Sequence, residues 1–477
     1  MFTLTANWKL ASSIVWMLGK TSEVVRMKFG IDYKSAVPSV LMLLVFCAIF
    51  DVLAPDYTVK LTDPKLIAAA IRNTTQGRAS GSLFNQVFWL ALLLIGGIFA
   101  VRRTYPALRN LRAIIPLMLL VMWSIISILW SAEPSLTFRR SFFLLVVLVA
   151  VFIPLVYSAS LTNILTIIYI SAAFALMLDI MALSLPSGFH VDGPFKGVHG
   201  HKNAVGPVAS LAIFMAIWLR PNLPSLFHVR LNSIFIALWG IILVFSGSKT
   251  SISVFFLAII IVFIMDFLSK ILKMSVGILL LCISIFIAII ISLIYALFDM
   301  DVGGILTLIT GVEVTFTGRT ALWSFIVQQL EGHWLFGFGY GGFWGIGSAG
   351  ANITTANAWF SHVSQSHNGY LDLVVNTGII GVVLFFYVLV SFYRNIERLK
   401  LFDRRSYFIL LIIMNYALIH NLQETSLMRT KSFLWVMMIV VIILASRLAN
   451  EYRRTGGVSN PFMLPSAIQS SVVIKPA

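Results

Sequence analysis

Six short stretches place residues able to handle charge and protons in an otherwise apolar chain. "SHNGYLDLVVNTGIIG" holds His367, Asn368 and Asp372 where a polar loop turns into a long hydrophobic run. An imidazole, with an ordinary pKa of about 6.5, suits proton transfer near neutral pH, and equally suits a plain hydrogen bond to loop backbone. Asp372 could orient a neighbouring side chain or anchor the interior of the run. "FSGSKTS" puts Lys249 in a connection too short to extend into water, so its ammonium either snorkels to headgroups or sits in a wet cavity. "TFTGRTALW" puts Arg319 at the start of an amphipathic helix, with Thr317 or Gly318 as cap. A guanidinium and free helix N–H groups both favour an anion there, and a surface arginine is the plain alternative. "HGHKNAVG" carries His199, His201, Lys202 and Asn203, with Asp192 the nearest carboxylate, a set better suited to an anion or hydroxyl than to a metal. "WSAEPSLTFRRS" adds Glu133, Arg139 and Arg140, and "HNLQETSLMRTK" adds His420, Asn421, Glu424, Arg429 and Lys431.

The elements that must carry these residues follow from composition. Of 477 residues, 59% are hydrophobic and 11% charged, a balance that no soluble domain of this size carries. Apolar runs of roughly 17 to 25 residues recur along the chain, enough to cross about 30 Å of hydrocarbon and too long for barrel strands. The expectation is an all-α polytopic membrane protein with spans near 37–54, 83–101, 113–130, 140–157, 160–184, 203–219, 231–246, 250–267, 274–297, 369–393, 406–422 and 431–449. Most of the 34 Lys and Arg fall in alternate loops, which puts both termini on the cytoplasmic side and all six stretches at the outer ends of spans. Residues 1–36 read as a cytoplasmic, interfacial amphipathic segment, 298–368 as one large outer loop containing helices, and 450–477 as a disordered cytoplasmic tail.

The net charge of +16 lies in short loops beside spans, which points to bilayer headgroups and away from nucleic acid. Cys47 and Cys282 fall inside spans, so neither a disulfide framework nor a cysteine metal site is expected. A carrier is the rival reading of so many spans. Related halves, mid-span charge and short outer loops would mark one. Here no internal repeat is visible, Asp179 is the main mid-span charge, and the 298–368 loop is long.

"SHNGYLDLVVNTGIIG" resembles the signature of the O-antigen ligase and Wzy-type polymerase superfamily, with His367, Asn368, Gly378 and Gly381 in order. "TGRTALWSFIVQQLEGHWLFGFGYGGF" is similar to the family's second block through Arg319, Trp323, Gly337, Gly339 and Gly342. "SGSKTS" resembles its third mark, where many members carry Arg in place of Lys249; lysine keeps the charge and loses the bidentate fork. "WSAEPSLTFRR", "HGHKNAVG" and "HNLQE" look most like polymerases of the exopolysaccharide production type.

The resemblance implies a GT-C-like glycosyltransferase on the outer face of a bacterial inner membrane. Its donor would be a glycan on undecaprenyl diphosphate. Its acceptor would be a sugar hydroxyl, on a second lipid-linked repeat for a polymerase or on lipid A core for a ligase. Chain-length regulators and a flippase are the implied protein partners, and no cofactor is. Breaking a sugar–diphosphate bond loads negative charge on the leaving group, which fixed cations can absorb. Lys249 and Arg319 lead that set, with Arg139, Arg140 and Lys202 in reserve. His367 is the expected base, held by Asn368 or Glu424. Asn203, Asp372 and Tyr340 are expected around the acceptor, and no metal ligand is expected.

Overall fold

The computed structural model describes residues 36–55, 83–101, 104–158, 160–190, 193–283, 286, 319–344, 363 and 365–454. The expected amphipathic segment before residue 36, most of the loops at 55–82 and 298–368, and the tail beyond 454 lie outside them.

Apolar backbone removed from water must satisfy its own hydrogen bonds, and the sequence does so as helices. In chain order these are α1 (Ala36–Ile49), α2 (Leu83–Val101), α3 (Thr104–Ile126), α4 (Pro134–Tyr157), α5 (Leu161–Ala182), α6 (Lys202–Leu219), α7 (Leu226–Phe245), α8 (Lys249–Leu272), α9 (Arg319–Gln329), α10 (Gly369–Lys400), α11 (Arg404–His420) and α12 (Phe433–Arg454). Short polar residues start them: Ser160, Ser225, Ser248 and Asp403 each accept a bond from the backbone N–H three residues on. Seven helices, α4 to α8, α10 and α12, are long and apolar enough to cross a membrane. Shorter apolar helices cover Ala36–Ile49, Asn85–Val101 and Ile114–Leu129. The span expected at 274–297 opens with helical residues 276–283 and otherwise lies outside the described residues. Among the described residues every regular element is a helix, and the protein is a multi-pass membrane protein.

Side-chain contacts sort the helix ends into two groups. At one end, Asp266 of α8 takes Lys270 at 2.7 Å, Lys400 of α10 at 3.2 Å and Arg404 of α11 at 3.1 Å. There too, Arg405 donates to the Ile217 carbonyl of α6, Asn232 of α7 to Ala216, and Tyr157 of α4 to Ala100 of α2. At the other end lie the starts of α4, α6, α8, α9, α10 and α12 and the finishes of α1, α5 and α11. One expectation is corrected: Asp179 is not a mid-span charge but sits in the last turn of α5, where its carboxylate accepts from Val198 N–H at 2.9 Å.

Helix α12 is the centre of the bundle. Residues Leu434 to Ala445 are all buried, and α3, α4, α6, α10 and α11 pack around them. Near its far end Arg447 donates to the carbonyls of Leu155 (2.6 Å) and Ser158 (2.8 Å), closing the C-terminus of α4, and pairs with Glu451 at 2.8 Å. Each orphaned carbonyl costs about 1–3 kcal/mol. Arg447→Leu is therefore expected to lower the thermal aggregation temperature of the detergent-solubilised protein, and an unchanged temperature would refute the capping role.

Candidate active site

The polar end is organised around Glu424, in the turn between α11 and α12. Its Oε1 accepts from Asn203 Nδ2 at 2.7 Å and from Arg319 Nη2 at 3.1 Å, and its Oε2 meets His367 Nδ1 at 3.2 Å. Arg319 uses its second amino group on the Gln423 carbonyl at 2.5 Å. The Glu424 side chain is 9% exposed, Arg319 20% and His367 23%, so the carboxylate is enclosed while the imidazole and guanidinium reach the surface. Burial pushes the Glu424 carboxyl up. The hydrogen bond from His367 and the charge of Arg319 pull it down further, to below the ordinary glutamate value, so it stays ionised at neutral pH.

Local sequence explains how His367 is presented. It adopts a left-handed backbone, φ 55°, which costs a residue with a Cβ about 1–2 kcal/mol. The turn is held on both sides. Ser366 Oγ donates to the Asn368 carbonyl at 2.6 Å and accepts from Asn368 N–H at 3.0 Å, while Trp323 of α9 donates to the Ser366 carbonyl at 2.8 Å. Asn368 caps α10, its Oδ1 accepting from the N–H groups of Tyr370 and Leu371. Of the two residues expected to hold the imidazole, Glu424 touches it and Asn368 is occupied by the helix.

Asp372 and Tyr340 face elsewhere than the acceptor position expected of them. Asp372 is buried, accepting from Ser366 N–H and from Trp344 Nε1 at 2.9 Å, so it anchors the histidine turn to the loop. Tyr340 is buried too, its hydroxyl donating to the Met428 carbonyl, and burial raises its pKa above the ordinary tyrosine value. Arg140 donates to the Gly341 carbonyl at 2.6 Å and so braces the glycine-rich segment, whereas Arg139 is exposed. Arg429 donates to Gln365 Oε1, beside His367.

Lys202 and Lys249 have no ion pair among the described residues. Each opens a helix, α6 and α8, and the two starts are tied by Ser248 Oγ donating to Asn203 Oδ1 at 3.1 Å. Thr250, the next residue but one, donates to Gln423 Oε1 at 3.0 Å. The N-termini of α6, α8, α9 and α10 therefore converge on the Glu424 turn, and helix N-termini carry partial positive charge. Expected residues His367, Arg319, Asn203 and Glu424 come together, with Lys202 and Lys249 beside them. Gln423, Gln365, Ser248 and Ser366 were not expected; nothing in their type distinguishes them from loop residues.

The two histidines of "HGHKNAVG" diverge. His201 caps α6, its Nδ1 accepting from Asn203 N–H. His199 is buried with Asp51 at Nδ1 (2.9 Å) and Asp179 at Nε2 (3.4 Å). Burial alone would lower its pKa, and the two carboxylates raise it to about 10. The acids sit on opposite ring nitrogens, which suits an imidazolium clamp joining α1, α5 and α6.

The second feature of this end is a broken helix. Inside α10, Gly378 has φ 66° and ψ −172°, a conformation essentially reserved for glycine. The backbone groups freed by the break pair with the loop: Phe338 N–H to Val375 O at 2.8 Å, Ile379 N–H to Trp334 O at 2.9 Å. A Cβ on Gly378 would stand 2.2 Å from the Leu335 carbonyl oxygen. Leu322, Ile326 and Leu330, one face of α9 and its exit, bury themselves against Phe338, Phe343 and Val375. This is the buried face of the amphipathic helix expected after Arg319, and Ala321 beside it is exposed. The segment that opens with Arg319 is thus docked against the helix that the His367 turn leads into.

These features define a multi-pass membrane protein with a cationic, imidazole-bearing site at one end of the bundle. Residues 233–386 match the family model described as O-antigen ligase. The exopolysaccharide production protein ExoQ of Rhizobium meliloti is 33% identical over 97 residues, a match covering 20% of this chain and 22% of that relative. Together the two matches support an O-antigen ligase and Wzy-type family for this chain. Lys249, Arg319, His367, Gly378 and Gly381 lie within the matched residues; Asn203 and Glu424 lie outside them.

Proposed function

We propose that the protein is a GT-C-like glycosyltransferase of the bacterial inner membrane that joins lipid-linked repeat units into a polysaccharide. Both termini are cytoplasmic in this reading, and the Glu424 end faces the periplasm. The observation that carries it is the contact of His367, Arg319 and Asn203 with one carboxylate where four helix N-termini meet. With Glu424 accepting the Nδ1 proton of His367, the Nε2 lone pair is left to take a proton from the acceptor hydroxyl. The acceptor oxygen then forms its bond to the anomeric carbon, and the sugar–oxygen bond to undecaprenyl diphosphate breaks with its electron pair. Lys249, Lys202 and Arg319, with Arg139 and Arg140 further out, balance the charge on the departing diphosphate. Bilayer lipids surround the bundle, and chain-length regulators and a flippase are its proposed partners.

The printed description of the relative, exopolysaccharide production, favours a polymerase. The description of the family model, O-antigen ligase, favours transfer to lipid A core as the second reading. The glycan profile of a strain lacking the protein distinguishes them. Single repeats accumulating on the lipid carrier are expected; long unattached chains on the carrier would mean a ligase, and a normal profile would refute both.

Since the cations take the role a metal would have, synthesis by the purified protein is expected to persist in excess EDTA. Loss of activity restored by a divalent ion would overturn metal independence.

A further inference from the structure

One group at this end has no part in the reaction above. His420 closes α11 one turn before Glu424, is 2% exposed, and has no hydrogen-bond partner on either ring nitrogen among the described residues. Its ring lies parallel to that of Tyr416, with centroids 5.8 Å apart. A neutral imidazole carries one donor and one acceptor, and leaving each unmet costs about 1–3 kcal/mol. Phenylalanine would stack on Tyr416 without that cost, so packing alone does not account for a histidine.

The surroundings indicate what the nitrogens do. The Tyr416 hydroxyl lies beside Ser210 of α6 and Ser251 of α8. Ser251 Oγ is 2.9 Å from Ser248 Oγ, which donates to Asn203 Oδ1, and Asn203 Nδ2 donates to Glu424 Oε1. Gly206 permits this closeness of α6 and α8, for a Cβ there would stand 2.3 Å from Ser251 Oγ. Glu424 N–H donates to the His420 carbonyl at 3.0 Å, so the two residues sit one turn apart at the same corner of the bundle. A polar strip therefore runs between α6, α8 and α11 to the back of Glu424, with His420 at its margin. Buried polar groups in such a place are ordinarily joined by internal water.

We propose that His420 is a positioning residue which, through an internal water on this strip, fixes the Glu424 carboxylate against Nδ1 of His367. The inference rests on His367 acting as the base. It is tested with full-length variants in native membranes supplied with lipid-linked repeats, measuring the rate of glycan joining, the protein level and the unfolding temperature. His420→Phe keeps the stacked ring and loses the nitrogens; joining is expected to fall about 10- to 100-fold, as for outer-shell partners elsewhere, with level and unfolding temperature at wild type. His420→Asn and His420→Gln keep a donor and an acceptor, and at least one is expected to retain most of the rate. A wild-type rate in His420→Phe overturns the proposal. So does an equal loss in all three variants, or a loss in His420→Phe matched by a fall in protein level. If His367→Ala leaves joining intact, the base assignment falls; if His367→Ala abolishes joining while His420→Phe does not, His420 alone is misassigned.

Discussion

His367→Ala abolishes glycan joining, and Glu424→Gln lowers it by about 100-fold, while Asn368→Ala leaves most of it: this rank order is expected if the contacts at Glu424 set the chemistry. Removing a positioned base typically costs on the order of 10² to 10⁴ in rate. An amide at 424 can no longer hold the Nδ1 proton as a charged acceptor, so the imidazole loses the tautomer that frees Nε2. Asn368, by contrast, spends its side chain on the start of α10, and loss of such a cap costs about 1 kcal/mol of stability. Arg319→Ala should fall with the first group, since it loses both a diphosphate cation and the clamp on Gln423 and Glu424. Rates per membrane-inserted protein check the series. Wild-type synthesis from Glu424→Gln, with Asn368→Ala inactive, would exchange the two roles.

The second large effect is expected from a backbone position with no side chain. Gly378→Ala forces a Cβ onto the Leu335 carbonyl and a side chain into a backbone region costing about 1–3 kcal/mol. Spent against docking of the loop, that is roughly a 5- to 150-fold shift toward the undocked state. Joining should drop in proportion, and hydrogen exchange over 334–338 should rise, while the protein remains in the membrane. Gly240→Ala is the control: a Cβ there meets nothing within 4 Å, and no loss is expected. Equal behaviour of the two variants would mean that the docked loop does not matter.

The helices were legible because each apolar run exceeds what a soluble element needs, and starters such as Ser160 and Ser225 mark their beginnings. Arg319, His367 and Lys249 were legible because charge at a span edge is costly, and the resemblance tied them together. The partner of the imidazole was not. Asn368 and Glu424 stood as equals in sequence, and the choice came from a cap that only the fold reveals. Asp179 misled in the same way, since a run of apolar residues does not disclose where the helix stops. Tyr340 and Asp372 are polar in type but structural in use, and spacing alone does not separate the two.

The arrangement around α12 bears on how the protein is made. Five helices that precede it share it as their common neighbour, and it is the last of the described helices to be synthesised. Until it emerges from the ribosome, α3, α4, α6, α10 and α11 hold an unfilled axis, and the Glu424 turn has nothing to fasten its second end. Membrane insertion can proceed segment by segment, yet consolidation of the bundle and assembly of the reaction centre must wait for α12.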